Sequence, residues 1–363
     1  MEKLNRLYRN LFQLPSSSLG LELTDRSIKM IELRKRAGKL PKIYKMASRR
    51  LPEGAIVDGK IRDVALVAEA MREIVHANGW RRKKVHMAAP GQSVMVRFLK
   101  LPDIPDRELK QIVDFEVHHN VHLPFDEPYY DYCKLNGASG TEPARFRRKR
   151  RDAGPDNRMF VEEAAAGGEI RHFRPAEETG DDRASSERLC DVLLVAVPKP
   201  LVEDYAAVAE RSGLVPASME IKALSLFRLI GLWNGEEAGR TLLLVDVNES
   251  AADISIFGEG RLKMTRSVPL EPVRDEDASA EFIDELERVM NFYRYTLNNR
   301  DRPFQAILLS GDSPAVAAMT EAMRERLNVR VDRLLYDRYE PRQRFREDAA
   351  AYSVPIGLAL RER

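Results

Sequence analysis

The sequence predicts an α/β protein in which one unit, β-β-β-α-β-α, is built twice. Three observations predict it. Short alternating apolar runs joined by tight turns form a three-strand meander near the start, over residues 19–50. A second such meander covers residues 241–269, with Gly258 and Gly260 at its last turn. Each meander is followed by a segment of helical periodicity and then a short apolar strand. A chain of 363 residues is long enough for two lobes of ordinary domain size.

In chain order, residues 19–23 form the first strand and residues 24–26 turn the chain. Residues 28–33 and 42–50 complete the meander across a charged turn at 34–39. Val64, Val67, Ala68, Met71, Ile74 and Val75 share one face of a helix over 63–77. Residues 85–89 form a short buried strand. Residues 94–99 then predict a strand, and Asp106 opens a helix running to about Asn120. Strands follow at 129–135 and 191–197, and a helix at 199–212 ends before Gly213. In the second half a helix is expected over 280–297, a strand over 306–309 and a helix over 315–326.

Two segments stand apart. Residues 1–14 place Leu4, Leu7, Tyr8, Leu11 and Phe12 at helical spacing, with Lys3, Arg6 and Arg9 between them. This pattern suits a tail helix docked on its own domain, or one that binds a membrane surface or a partner. Residues 137–188 have no usable periodicity and carry the basic run 145–151. Acidic residues such as Glu162, Glu163, Asp181 and Asp182 follow it, so a solvated, self-compensating insertion is expected there.

Composition excludes several classes. Charged residues make up 32% of the chain, but the formal net charge is only +2, so no nucleic-acid partner is expected. Two cysteines, Cys133 and Cys190, fit a reducing compartment. No signal peptide and no membrane-spanning run is found, which predicts a cytosolic protein or one attached from the cytosolic side. His118 and His122 lie four residues apart, a zinc-compatible spacing, but nothing nearby completes a site and no metal is expected.

Five blocks in register carry a resemblance. They are LGLELTDRSIKMIELRK, the long LPDIPDREL…LPFDEP block, DVLLVAVPKPLVEDYAAVAERSGL, LLLVDVNESAADISIF and YSVPIGLAL. The repeated unit has the plan of the actin, Hsp70 and sugar-kinase group, and the five blocks resemble the type IV pilus assembly protein PilM. That resemblance implies a duplicated actin-like (ribonuclease H-like) fold with the FtsA-like subdomain arrangement. It divides the chain into a tail at 1–17, a first subdomain at 18–91 and 215–238, an inserted subdomain at 92–214, and a second lobe at 239–363. It also implies a scaffold on the cytosolic face of the inner membrane, connected to the pilus motor and platform. Its partner would be the N-terminal cytosolic segment of a bitopic PilN-like protein. The edge strand with Val94, Val96 and Phe98 is the expected docking face.

The same resemblance locates the nucleotide site of actin-like folds, where hairpin amides hold phosphates and an acid on each preceding strand organises magnesium. The matching positions are Glu22, Thr24, Ser27 and Lys29 on the first hairpin, and Asp246, Asn248 and Ser250 on the second. Gly311 matches the adenine-side motif. Thr24 and Asn248 stand where glycines are usual, and Glu249 adds negative charge nearby. Ser310–Pro314 holds one glycine and an acid, Asp312. Between Pro269 and the helix at Ala280 only a short charged stretch replaces a helical subdomain. A degenerate site with no cofactor is expected. An active actin-like ATPase using ATP and magnesium is the alternative.

Overall fold

A computed structural model of the chain describes residues 16–36, 39–135, 188–233, 240–270, 276–297, 299–336 and 349–361. The expectations for residues 1–14, for 137–187 and for the charged stretch 271–275 lie outside the described residues.

The first lobe opens with the expected meander: β1 (Ser16–Leu23), β2 (Ser27–Arg36) and β3 (Lys39–Arg50). A small hairpin, β4 (Ile56–Val57) and β5 (Lys60–Ile61), follows. It turns through Asp58 and Gly59, both at positive φ. Asp-Gly between Ile56-Val57 and Lys60-Ile61 is a local signal for such a turn, not among the elements expected from the sequence. Helix α1 (Val64–Asn78) begins under the carboxylate of Asp63, which accepts from the Leu66 N–H. It ends at Gly79 in the left-handed region. Strand β6 (Lys84–Ala89) then runs parallel to β1.

Beyond a single turn at Gly91–Ser93 lies a three-stranded antiparallel sheet, β7 (Met95–Pro102), β8 (Pro128–Lys134) and β9 (Leu189–Pro198), ordered β7-β9-β8. Helix α2 (Asp106–His119) covers one face of it. Leu109, Val113 and Val117 pack on Cys190, Val192 and Leu194. The helix cap is Pro105, and Asp106 is the first helical residue. Cys133 and Cys190 lie on paired strands, but Cys133 faces Leu193 and Cys190 faces Leu101, and no disulfide joins them.

Helix α3 (Lys199–Arg211) leads to two elements the sequence analysis did not delimit, β10 (Val215–Ile221) and α4 (Lys222–Trp233). β10 pairs in parallel with β6. The first large sheet is thus ordered β10-β6-β1-β2-β3.

The second lobe repeats the plan. β11 (Leu242–Val247), β12 (Ala251–Gly258) and β13 (Arg261–Pro269) form the meander. Helix α5 (Glu276–Asn291) starts four residues earlier than expected and passes into a π-helical turn at Phe292–Thr296. β14 (Ala306–Ser310), α6 (Val316–Arg326) and β15 (Val331–Arg333) follow. The sheet order is β13-β12-β11-β14-β15. β11 pairs antiparallel with β12 and parallel with β14, as β1 does with β2 and β6. The duplication seen in the sequence is therefore a duplication of strand order and direction.

The last helix, α7 (Ser353–Ala359), departs from the expected division of the chain. The sequence analysis left 239–363 together as the second lobe, but α7 packs on β1 and α4 of the first. All seven of its residues are buried, and Val354, Ile356 and Leu358 share a core with Leu224, Leu229 and Ile230. Two glycines permit the contact. A Cβ on Gly20 would meet the Pro355 carbonyl oxygen at 1.9 Å, and one on Gly357 would meet the Ser225 carbonyl oxygen at 2.0 Å. Glu220 then holds Arg228 at 2.6 Å and Arg361 at 2.8 Å, tying the helix end to β10.

Gly20→Ala should therefore lower stability by about 1–3 kcal/mol, because backbone must move to admit the methyl group. Urea denaturation measures this, and an unchanged midpoint would mean that α7 does not lie against β1.

Candidate functional site

The two meander hairpins and the turn after β14 come together between the lobes. Alternation along β1 sends Leu19, Leu21 and Leu23 into one core, and Glu22 points toward the cleft between the lobes. The β1–β2 turn is closed by its own hydroxyls. The Thr24 N–H donates to the Ser27 carbonyl at 2.9 Å, and the Ser27 N–H donates to Thr24 Oγ1 at 3.0 Å. Among the described residues, positive φ outside glycine occurs at Asp58, Arg82 and Glu259. Thr24 and Asn248 thus have ordinary backbone angles. Although glycine is usual at the position of Thr24, the turn here needs no left-handed residue, and the hydroxyl supplies its closing bonds.

Asp246 ends β11 and Asn248 follows it. The Asn248 N–H donates to the Ala251 carbonyl at 2.9 Å, and its side-chain amide donates to Asp246 Oδ2 at 3.1 Å. Ser310 donates to the other oxygen, Oδ1, at 2.7 Å. Gly311 has φ +113°, and a Cβ there would meet the Val247 carbonyl oxygen at 2.0 Å. A glycine is required at that position by both criteria.

Two ammonium groups bind these pieces together. Lys222 Nζ lies 3.2 Å from Glu22 Oε1, 3.0 Å from Asp246 Oδ2 and 3.0 Å from Asp253 Oδ2. Lys29 Nζ lies 2.9 Å from Glu22 Oε2 and 3.2 Å from Asp312 Oδ2, and Ser27 Oγ donates to the same Asp312 oxygen at 2.8 Å. Glu22, Lys29 and Lys222 belong to the first lobe; Asp246, Asp253 and Asp312 belong to the second. Every one of these side chains except that of Asp312 is buried.

Four carboxylates thus face two ammonium groups. Burial pushes the Glu22 carboxyl above its ordinary value, with Lys29 and Lys222 opposing. Asp246 ends below its ordinary value: burial pushes it up, but Lys222 and Lys29 outweigh that push. Burial works to lower the Lys222 ammonium, yet Asp253, Asp246 and Glu22 raise it well above its ordinary value of 10.5. Lys29 is raised the same way, with Glu22 and Asp312 overcoming its burial.

The first and second hairpins supply Glu22, Thr24, Ser27, Lys29, Asp246 and Asn248 to this junction, and Gly311 positions Asp312 beside it. Ser250 lines the remaining crevice with Thr24, Asn248 and Lys222. Glu249, expected to add charge to the site, instead pairs with Arg50 of β3 at 2.5 Å on the outside. Two residues escaped the sequence analysis, Lys222 and Asp253. Both carry a signal in retrospect: Lys222 opens an apolar helix directly after a strand, and Asp253 interrupts an apolar strand. A Cβ on Gly91 would meet Asp253 Oδ1 at 1.8 Å, so the lobes touch here as well.

A magnesium nucleotide does not fit these residues. The ammonium of Lys222 stands between the acids Glu22 and Asp246. The hairpin amides of Thr24, Ser27 and Asn248 are spent within their own turns. The crevice admits the centre of a water-sized sphere over about 20 Å³, which is room for about one water.

The other expected groups are dispersed. Val96 and Phe98 lie on β7, an edge strand, and Val94 precedes it at the end of a 3₁₀ turn. All three pack partly on the core shared by the two lobes. No strand pairs with the other edge of β7 among the described residues. His118 and His119 each bond a carbonyl of their own helix through Nδ1, and no metal-ligand cluster occurs among the described residues. No described helix is long and apolar enough to cross a membrane.

Two mirrored sheets meeting at a cleft of three converging turns define an actin-like fold. Residues 20–147 match the family model described as type IV pilus assembly protein PilM. The chain is similar in structure to the "PilM-PilN type IV pilus biogenesis complex", with TM-score 0.72 and 18% identity, covering 96% of this chain and 98% of that one. The resemblance to PilM read from the sequence therefore holds over residues 20–147, where nearly all of the first two blocks lies, and the fold is shared beyond them. Weaker likenesses are to the ethanolamine utilization protein EutJ of Carboxydothermus hydrogenoformans and to the cytoplasmic domain of EpsL, an inner-membrane component of the type II secretion system of Vibrio cholerae. EutJ gives TM-score 0.47 and 12% identity over 99% and 97% of the two chains, and EpsL 0.44 and 10% over 96% and 96%. Neither carries an argument about this chain.

Lys222→Met should cost about 3–5 kcal/mol, because it leaves buried carboxylates without their cation. The pH dependence has a definite sign. The folded pKa of Lys222 is raised, so its contribution is fully present below the unfolded value near 10.5 and is lost as pH rises through the folded value. Denaturation profiles should thus fall on the alkaline side in the wild type and fall less in Lys222→Met. Equal alkaline profiles would exclude Lys222 as the cation of this cluster.

Proposed function

We infer that the chain is a non-catalytic actin-like scaffold of type IV pilus assembly, held at the cytosolic face of the inner membrane. Its task is to bind the N-terminal cytosolic segment of a bitopic PilN-like protein and to connect it to the motor and platform. The pilus assignment is supported by the match over residues 20–147 and by the likeness to a structure whose printed description pairs PilM with PilN. The word non-catalytic rests on one observation, the seat of Lys222 between Glu22, Asp246 and Asp253.

In this reading the cleft is a permanent joint. An active site must admit its nucleotide and release the product. Here the groups that would do so are engaged with one another across the lobes. The joint fixes the first lobe, and with it the sheet that carries β7. The free edge of β7 can then accept an extended peptide by adding a strand, with main-chain hydrogen bonds supplying affinity.

The second reading, an active ATPase, is favoured by one feature: Glu22 and Asp246 still face each other from matching strand ends. Two titrations on the full-length protein decide. The scaffold reading expects saturable binding of a synthetic peptide from the N-terminus of the bitopic pilus protein of the same organism, and no thermal shift with ATP and magnesium. A nucleotide-dependent shift that Asp246→Ala abolishes would replace the scaffold with the ATPase. No peptide binding would remove the PilN-like partner.

A further inference from the structure

The β2–β3 hairpin concentrates positive charge in a chain that is nearly neutral. From Leu33 to Leu51 the sequence holds eight basic residues, Arg34, Lys35, Arg36, Lys39, Lys42, Lys45, Arg49 and Arg50, and no acid, while the whole chain has net charge +2. The structure sorts these charges along the hairpin. At the end near the cleft, Arg49 pairs with Glu73 and Arg50 with Glu249. In the middle, Lys45 donates to the Asn78 carbonyl and Arg34 stacks on the Tyr44 ring at 3.0 Å. At the far end, Lys39 and Lys42 are exposed and form no ion pair with another described residue. Leu40, between them, is 40% exposed.

Strand register shows what else meets this end. Ser16 pairs with Lys35, and Arg36 pairs with Lys39. Ser16, the first described residue, therefore lies beside the hairpin tip, and the sequence before it carries Lys3, Arg6 and Arg9 among helically spaced apolar residues. Lys35 Nζ donates to the carbonyls of Leu360 and Arg361 at 2.9 and 2.8 Å, so a further basic residue lies alongside. β2 spans ten residues from the cleft to this end, a distance of about 30 Å. The molecule is polarised: buried acids at the cleft, exposed bases and an exposed leucine at the opposite end.

Lysine on a sheet edge has an ordinary use, which is to block pairing with another sheet. That use accounts for charge along β3. It does not call for an exposed leucine at the tip, nor for cations gathered where a basic amphipathic segment enters. An apolar tip residue flanked by lysines fits a bilayer surface, where the lysines reach anionic headgroups and the leucine reaches the acyl boundary.

We propose that the β2–β3 tip, with Lys39, Leu40 and Lys42, is a docking surface for anionic lipid that sets the molecule's orientation at the membrane. It rests on the proposed membrane-proximal location, and it does not involve the peptide partner or the state of the cleft. Two weak signals at one end of the fold, the tip and the segment before β1, are what reversible surface attachment requires.

The test is co-sedimentation of the full chain with vesicles of phosphatidylglycerol and phosphatidylcholine, against vesicles of phosphatidylcholine alone. Binding should require the anionic lipid and weaken as salt is raised. Lys39→Glu with Lys42→Glu should weaken it about 25-fold or more, at about a fivefold loss for each lysine charge removed, with an unchanged melting temperature because both side chains are exposed. The proposal is overturned if the wild type ignores anionic vesicles. It is also overturned if the double variant binds as the wild type does, since residues 1–15 alone would then carry attachment. Equal, variant-sensitive binding to a duplex oligonucleotide would make the tip a general polyanion site and overturn the lipid assignment. Because the vesicles contain no pilus protein, none of these outcomes depends on whether the PilN-like peptide binds.

Discussion

One ammonium group joins the two halves of this molecule. Lys222 reaches Glu22 of the first lobe and Asp246 and Asp253 of the second, each within 3.2 Å. Taking an ammonium out of water is costly and is offset only when partners surround it. The lobes are therefore tied to one arrangement: separating them would strand an ammonium and several carboxylates at once. Lys29 repeats the device with Glu22 and Asp312. Gly91 and Gly311 let backbone approach closely enough for the charges to meet, since a Cβ at either would collide with Asp253 or with Val247.

The hairpins around this lysine are closed on themselves. A phosphate-binding turn must leave its N–H groups free and directed at the ligand. Here Thr24 and Ser27 close the first turn on itself, and Asn248 closes the second. The charge balance points the same way. A nucleotide brings anions that demand a divalent cation between the acids, and the lysine already occupies that place. The acids of the two lobes thus share an internal cation.

How much of this could be read from the sequence depended on the kind of pattern involved. The duplication was legible because strand alternation and turn residues are local signals, so β1–β3 and β11–β13 were found to within a few residues. The hairpin acids Glu22 and Asp246 were located through the resemblance. The purpose of Thr24 was not legible, because a threonine at a glycine position looks like a defect until its hydroxyl is seen closing the turn. The Lys222 contacts were invisible for a different reason. They link positions 22, 222, 246 and 253, and no local period connects a helix start with two strands of another lobe. Helix α7 escaped its assignment similarly, since what places it on the first lobe is the absence of side chains at Gly20 and Gly357.

The two ends of the first sheet are joined by continuous strand pairing. Lobes tied by buried ion pairs keep the surfaces they carry at fixed distances. β1 and β2 run as rigid neighbours from the buried charges to the basic tip, and the sheet carrying β7 is packed on the same core. A peptide bound at β7 and a surface met at the tip would thus be held at a constant separation and angle. That constancy follows from the lysine seated between the acids of the two lobes.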